Sequence, residues 1–127
     1  MGEMKLDSYQ EVAGLTNKGT KLYVIPLKDD GEPNGPPREI AGLYNVLALN
    51  GEAGELGEKI KKAARDGVAD HFAHRRLVAL ELGDCLWYIS QAAADFGYSL
   101  SDIAEMNLTK LRDRALRGKL GGSGDER

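Results

Sequence analysis

The sequence is short of cysteine, of long apolar runs and of excess positive charge, and each shortage removes a class of protein. The single cysteine, Cys85, cannot form an intrachain disulfide. Its place in an apolar helical pattern predicts a reduced, buried thiol, which excludes a disulfide-stapled scaffold and points to the cytoplasm. No stretch approaches eighteen apolar residues, and MGEMKLDSYQ at the start has neither the basic region nor the hydrophobic core of an export signal, so no membrane partner is expected. Lysine and arginine number 17 against 20 aspartate and glutamate, for a formal net charge of −3. Such a chain has no global basic field to hold a phosphate backbone, and polymeric nucleic acid is not an expected partner. Proline is scarce outside one place: all four fall within PLKDDGEPNGPP, where a regular element is disfavoured.

What remains is 42% hydrophobic and 29% charged over 127 residues, the balance of one folded domain able to bury a core without a structural metal. Helical periodicity dominates it. Asp7 or Ser8 is placed to cap a short first helix over Tyr9 to Leu15, ended by Asn17 and Gly19. The apolar run Leu22 to Leu27 and the prolines after it read as a loop over about residues 19–39, with no regular element at 26–38. From Ile40 to Arg65, Leu49, Ala53, Leu56, Ile60 and Ala63 step by four and three along one face of a long helix, and Gly67 sits like its C-terminal cap. A second long helix starts near His71, with Val78, Leu82, Cys85, Ile89, Ala92 and Phe96 in the same spacing, and Gly97 closes it. Ser99 with Asp102 forms a variant capping box for a last helix, with Tyr98 and Ile103 as a hydrophobic staple. The glycine-rich end, about residues 118–127, reads as a flexible tail. The expected fold is all-α, a helical hairpin of the four-helix-bundle type in a single domain.

Four carboxylates stand out. Glu52 and Glu55 are three apart, as are Glu81 and Asp84, so each pair lies on one face of its helix. Each acid directly precedes a stripe residue, the same offset on both helices. Asp84 also interrupts a second apolar line, Leu77, Leu80, Trp87, which predicts that it lies between two buried faces, where an unpartnered carboxylate is costly. With a hairpin turn near Val68, residue i faces roughly residue 136 − i, and the midpoints of the two acid pairs then meet. No cation lies within either pair. Converging acids repel strongly at low effective dielectric, and a hard divalent cation with oxygen ligands is the usual remedy. Taken alone, EAGELGEK reads equally well as a solvated face with Glu55 paired to Lys59 and Glu58 to Lys62; the shared offset, the facing register and the apolar flanks favour a metal site.

These residues resemble the all-alpha nucleotide pyrophosphohydrolases of the MazG type, whose signature is ExxE on one helix and ExxD on the next. Here it stands as EAGE at 52–55 and ELGD at 81–84, within LALNGEAGELGEKIKK and LELGDCLWYISQ. Tyr9 with Gln10, the NLTKL run from Asn107, and the ending RGKLGGSGDER extend the likeness over most of residues 7–127. Many relatives carry two adjacent glutamates at the first motif, whereas Gly51 precedes Glu52 here, and the loop of residues 20–38 is not typical.

The resemblance implies hydrolysis of nucleoside triphosphates between the α and β phosphates, with Mg²⁺ as the usual metal and Mn²⁺ as a substitute, held by Glu52, Glu55, Glu81 and Asp84. It implies a homodimer or homotetramer, and it matches Asn107 and Lys110 to a phosphate-facing NxxK. Lys59 and Lys62, one and two turns beyond Glu55, are candidates to meet charge on the departing pyrophosphate. Trp87 is a candidate ring for the base, although core packing is the commoner role of such a residue. His71 and His74 read as surface residues near the turn. The competing functional reading is a MazG-like helical module for oligomerisation or regulation without catalysis.

Overall fold

A computed structural model gives the fold, and it describes residues 3–117. The tail expected at 118–127 lies outside the described residues. Four helices run in the order α1 (Leu6–Gly14), α2 (Leu43–Asp66), α3 (His71–Asp95) and α4 (Leu100–Leu116), with strands β1 (Tyr23–Val24) and β2 (Arg38–Glu39) between α1 and α2. The two long helices form an antiparallel hairpin, α1 packs on α3 and α4, and α4 touches α3 but not α2.

The helix ends follow local chemistry. Gly67 has φ +78°, a conformation that side chains resist, and its N–H closes α2 on the Ala63 carbonyl. Asp70 caps α3 by accepting the Ala73 N–H at 3.0 Å. The Ser99 and Asp102 side chains each accept the other's backbone N–H, the capping box read from the sequence. Two starts differ from expectation. Helix α2 begins at Leu43 rather than near Ile40, because Gly42 turns the chain with φ +70°. Helix α1 begins at Leu6 without a side-chain cap, so neither Asp7 nor Ser8 serves as one. Asp7 works on another helix: its Oδ1 accepts the Ser101 N–H at 2.9 Å, at the start of α4. Gln10 joins it there, accepting the Leu100 N–H and donating to the Ser90 and Tyr98 carbonyls. The first helix is therefore tied to the α3–α4 junction by polar groups a periodicity argument does not see.

The loop is also more regular than expected. Tyr23 pairs with Glu39 and Val24 with Arg38 in a short antiparallel ladder, and Leu27 bridges Pro33. The prolines sit at positions the ladder does not need for donation, so they shorten the strands without preventing them.

Burial departs most from the periodicity. Among the described residues the buried apolar side chains are Ala13, Ala93 and Leu100, while Leu80 and Leu82 stay 55% and 52% exposed and Ile60 and Ile89 are also open. Cys85 is half-buried rather than enclosed. The stripes exist on the helices, but one copy of the chain does not cover them.

Candidate metal centre

The hairpin register brings the acids together. Lys59 of α2 meets Glu81 of α3, Asn45 meets Asp95, and Gly42 lies against Asp95 and Phe96, within about one helical turn of the pairing expected from a turn at Val68. In this register one carboxylate oxygen from each of Glu52, Glu55 and Glu81 lies within 4.8 Å of the other two. Ligands of one magnesium ion stand about 2.9 Å apart when adjacent and about 4.1 Å apart when opposite, so the trio would close by up to about 2 Å to share one. An all-oxygen, all-carboxylate donor set fits a hard cation such as Mg²⁺ or Mn²⁺.

Asp84 stands beside the trio rather than within it. It is exposed, not enclosed between apolar faces, because Leu77 and Leu80 flank it with side chains that are themselves open to solvent. With Glu52, Trp87 and Tyr88 it lines a cavity of about 290 Å³. Its charge still reaches its neighbours. Partial burial, then Glu55, Asp84 and Glu81, hold the Glu52 carboxyl above the usual carboxylate range. Burial, with Glu52, Asp84 and Glu81 behind it, pushes the Cys85 thiol up in the same way, so Cys85 is a poor nucleophile here.

One cation enters where none was expected. Lys59 leaves Glu55 and reaches across the hairpin, placing Nζ 3.1 Å from Oε1 of Glu81, the one buried acid of the group. Glu58 pairs with Lys61, and more loosely with Lys62 at 3.9 Å. Lys59 and Lys62 line a cleft of about 370 Å³ at the turn, together with Asp66, Asp70 and His74, and Lys59 links it to the acids through Glu81; His71 is exposed. Trp87 is half-buried, its indole N–H donating to the Thr16 hydroxyl at 2.8 Å and its ring edge-on to Tyr88 at 4.8 Å. It thus packs against the end of α1 and lines the acid-side cavity at once. Asn107 and Lys110 lie exposed on α4, and Lys110 lines a groove with Glu105, Met106, Thr109 and Asp113. Neither residue lines the spaces beside the acids.

Residues 42–117, the span holding both acid-bearing helices and α4, match the MazG nucleotide pyrophosphohydrolase domain. The chain belongs to the MazG family. It is also similar to the Gene 37 protein of Mycobacterium phage L5, 44% identical over 91 residues that cover 69% of this chain and 79% of that protein. No solved structure matches. Within the MazG match lie Tyr44 and Asn45, which sequence reading passed over, and Tyr88, which with Trp87 follows Asp84 and was a candidate ring for the base. Tyr44 is hydrogen-bonded to Tyr88, and burial together with Tyr44, Glu52 and Asp84 raises the Tyr88 hydroxyl. A signal for Asn45 existed: it is a polar residue in an apolar stretch, seven positions before Glu52 and hence on the same face.

Proposed function

We propose that this MazG-family chain hydrolyses nucleoside or deoxynucleoside triphosphates to the monophosphate and pyrophosphate, clearing nucleotides from a cytoplasmic pool. The observation that carries the reading is the convergence of Glu52, Glu55 and Glu81 within 4.8 Å, flanked on one side by a lysine-bearing cleft and on the other by an aromatic one. That order gives a nucleotide one direction. The α-phosphate meets the acids, the β and γ phosphates extend toward Lys59, Lys62 and His74, and the nucleoside extends toward Trp87 and Tyr88.

Glu52, Glu55 and Glu81 would hold Mg²⁺, with Asp84 completing the shell or orienting a water. The ion supplies neutralisation of phosphate oxygens and acidification of a coordinated water. The chain's own residues do the rest. Glu81 is kept in place by Lys59 and by its burial between the helices. One of the glutamates would accept a proton from the attacking water. Lys62, exposed at the cleft, meets charge that builds on the leaving pyrophosphate.

The same reading includes a homodimer or homotetramer. Its support is the exposed apolar surface of α2 and α3, where Leu80 and Leu82 are each more than half open. In such an assembly Asn107 and Lys110, exposed on α4, would face a neighbouring copy's phosphates.

The deciding experiment incubates the purified protein with a panel of nucleoside triphosphates and Mg²⁺ and separates the products. Monophosphate with pyrophosphate is expected, abolished by EDTA and by Glu81→Ala. Turnover of none, release of orthophosphate instead, or full activity in Glu81→Ala overturns the reading.

A further inference from the structure

The residues that leave α1 hold one wall of the space beside the acids. The indole N–H of Trp87 donates to the Thr16 hydroxyl at 2.8 Å, and the same hydroxyl donates to the Ala13 carbonyl at 2.8 Å. A hydroxyl has one proton and an indole N–H can only donate, so the pair has a single direction. Thr16 commits its proton to its own helix and accepts from Trp87. The segment carrying Thr16 is itself anchored one residue further on. Asn17 donates from Nδ2 to Oε1 of Gln91 at 2.8 Å, and Gln91, about one turn beyond Trp87 on α3, is only 3% exposed. The chain therefore grips α3 on two successive turns, once at a buried amide and once at the ring.

The ring is met from the other side as well. Tyr88 stands at 84° to Trp87 with centroids 4.8 Å apart, and it is in turn hydrogen-bonded to Tyr44 at the start of α2. Both rings line the cavity of about 290 Å³ that Glu52 and Asp84 complete. Because its N–H is committed to Thr16, Trp87 brings to that cavity no hydrogen bond, only a π surface. A base stacked on such a surface gains affinity whatever the pattern of its edges. Thr16 and the whole of α1 lie outside residues 42–117, the span that matches the MazG domain.

We propose that Thr16 is a positioning residue of the nucleotide site: by accepting the indole N–H it fixes the Trp87 ring as a stacking surface for the nucleobase, so that the segment ahead of the family domain contributes to substrate binding. The proposal rests on the nucleotide reading of the acid cluster and deepens it. Without this acceptor the N–H loses its one fixed partner and the ring turns more freely about its side-chain bonds. Ordering the ring then falls to the nucleotide, which lowers affinity without touching the groups that act on the phosphates. The effect belongs to KM rather than to kcat.

Trp87 is the only tryptophan of the chain, so tryptophan fluorescence reports this ring alone. In EDTA, deoxyadenosine, deoxyguanosine, deoxycytidine and thymidine should each quench it when titrated into the full chain. Thr16→Val, which keeps the branched shape and removes the acceptor, should lower the fluorescence anisotropy and weaken nucleoside binding about fivefold, the worth of one hydrogen bond. Thr16→Ser, which keeps the hydroxyl, should restore both. With Mg²⁺ and a triphosphate that is turned over, Thr16→Val should raise KM about fivefold and leave kcat within about twofold. Trp87→Phe, a ring without an N–H, separates positioning from a merely structural role. In that background, with nucleoside binding followed by saturation-transfer NMR, Thr16→Val should change neither nucleoside affinity nor KM. Unchanged anisotropy in Thr16→Val, no quenching by any nucleoside, equal weakening by Thr16→Ser, or a further loss in the Trp87→Phe background overturns the proposal. Quenching that depends on Thr16 with no triphosphate turnover would remove the hydrolase reading and leave the stacking surface; turnover with fluorescence indifferent to nucleosides would do the reverse.

Discussion

Replacing Glu52 by glutamine should stabilise the metal-free protein and destabilise it relative to wild type once Mg²⁺ is added. Three carboxylate oxygens within 4.8 Å repel by about 3.5 kcal/mol per pair at an effective dielectric of about 20, and by about 0.9 kcal/mol in water. Glu55 is exposed, so its repulsion of Glu52 lies near the lower figure, and the charge of Glu81 is largely countered by Lys59 at 3.1 Å. The net relief on removing the Glu52 charge is therefore on the order of 1 kcal/mol, or a rise of about 3–5 °C in Tm for a chain of this length. Metal reverses the order. An ion present at a hundred times its dissociation constant stabilises the wild type by about 2.7 kcal/mol, roughly 10 °C, and a variant lacking one of three ligands should gain little. The assay is thermal unfolding by circular dichroism of both proteins, in EDTA and then across a Mg²⁺ titration at fixed protein concentration. A Tm for Glu52→Gln below wild type in EDTA, or equal gains for both proteins on adding Mg²⁺, would refute the view that these acids are held together against their own repulsion for a cation.

The raised proton affinity of Glu52 makes stability and metal binding depend on pH with opposite signs. A carboxyl whose folded pKa exceeds its unfolded one binds more protons when folded, so in EDTA the contribution of Glu52 to stability, read as the difference from Glu52→Gln, should be fully present below the ordinary glutamate range and be lost as pH rises through the raised folded value. Mg²⁺ affinity, measured by calorimetry, should instead fall as pH drops through the same window, and an affinity flat with pH there would contradict it. Gly42→Ala should cost about 2 kcal/mol, since φ is +70° and the added Cβ would meet the Phe96 ring at 2.6 Å; a chemical-denaturation midpoint unchanged from wild type would count against that packing. Nucleoside triphosphates should bind at least about tenfold more weakly in EDTA than with Mg²⁺, whereas nucleosides without phosphate should be indifferent to the metal; equal triphosphate affinity in the two conditions would argue against an acid-bound ion.

Much of this arrangement was legible because it rests on spacing. Glu52, Glu55, Glu81 and Asp84 declare their faces by intervals of three, and Gly67 declares the turn, so two periodic elements and one breaker suffice to bring the acids near one another. The caps of α4 were equally plain, since Ser99 and Asp102 satisfy each other within four residues. What stayed hidden depends on contacts between residues far apart in sequence. Gln10 and Asp7 bind the start of α4 about ninety positions away, and Thr16 receives the indole of Trp87. A two-residue strand such as Tyr23–Val24 has too few positions to show alternation at all. The exposure of Asp84 and of the apolar stripe was hidden for a different reason: periodicity tells which residues share a face, not whether that face is covered within one chain.

Lys59 shows how a lysine at an ordinary i,i+4 distance from a glutamate can take a different role. An exposed pair with Glu55 would contribute a few tenths of a kcal/mol and be screened by salt. Crossing to Glu81, it meets the acid that has least access to water and so most needs a counter-charge. Among the described residues Glu52 and Glu55, the more open members of the trio, have no ion pair of their own, and Asp84 stands beside them. The cluster is therefore still net acidic after Lys59 is counted, and it would repel a bare polyphosphate arriving from the lysine-bearing cleft. On the proposed reading a divalent cation, entering before the nucleotide or carried by it, would turn the same surface from one that rejects phosphate into one that holds it.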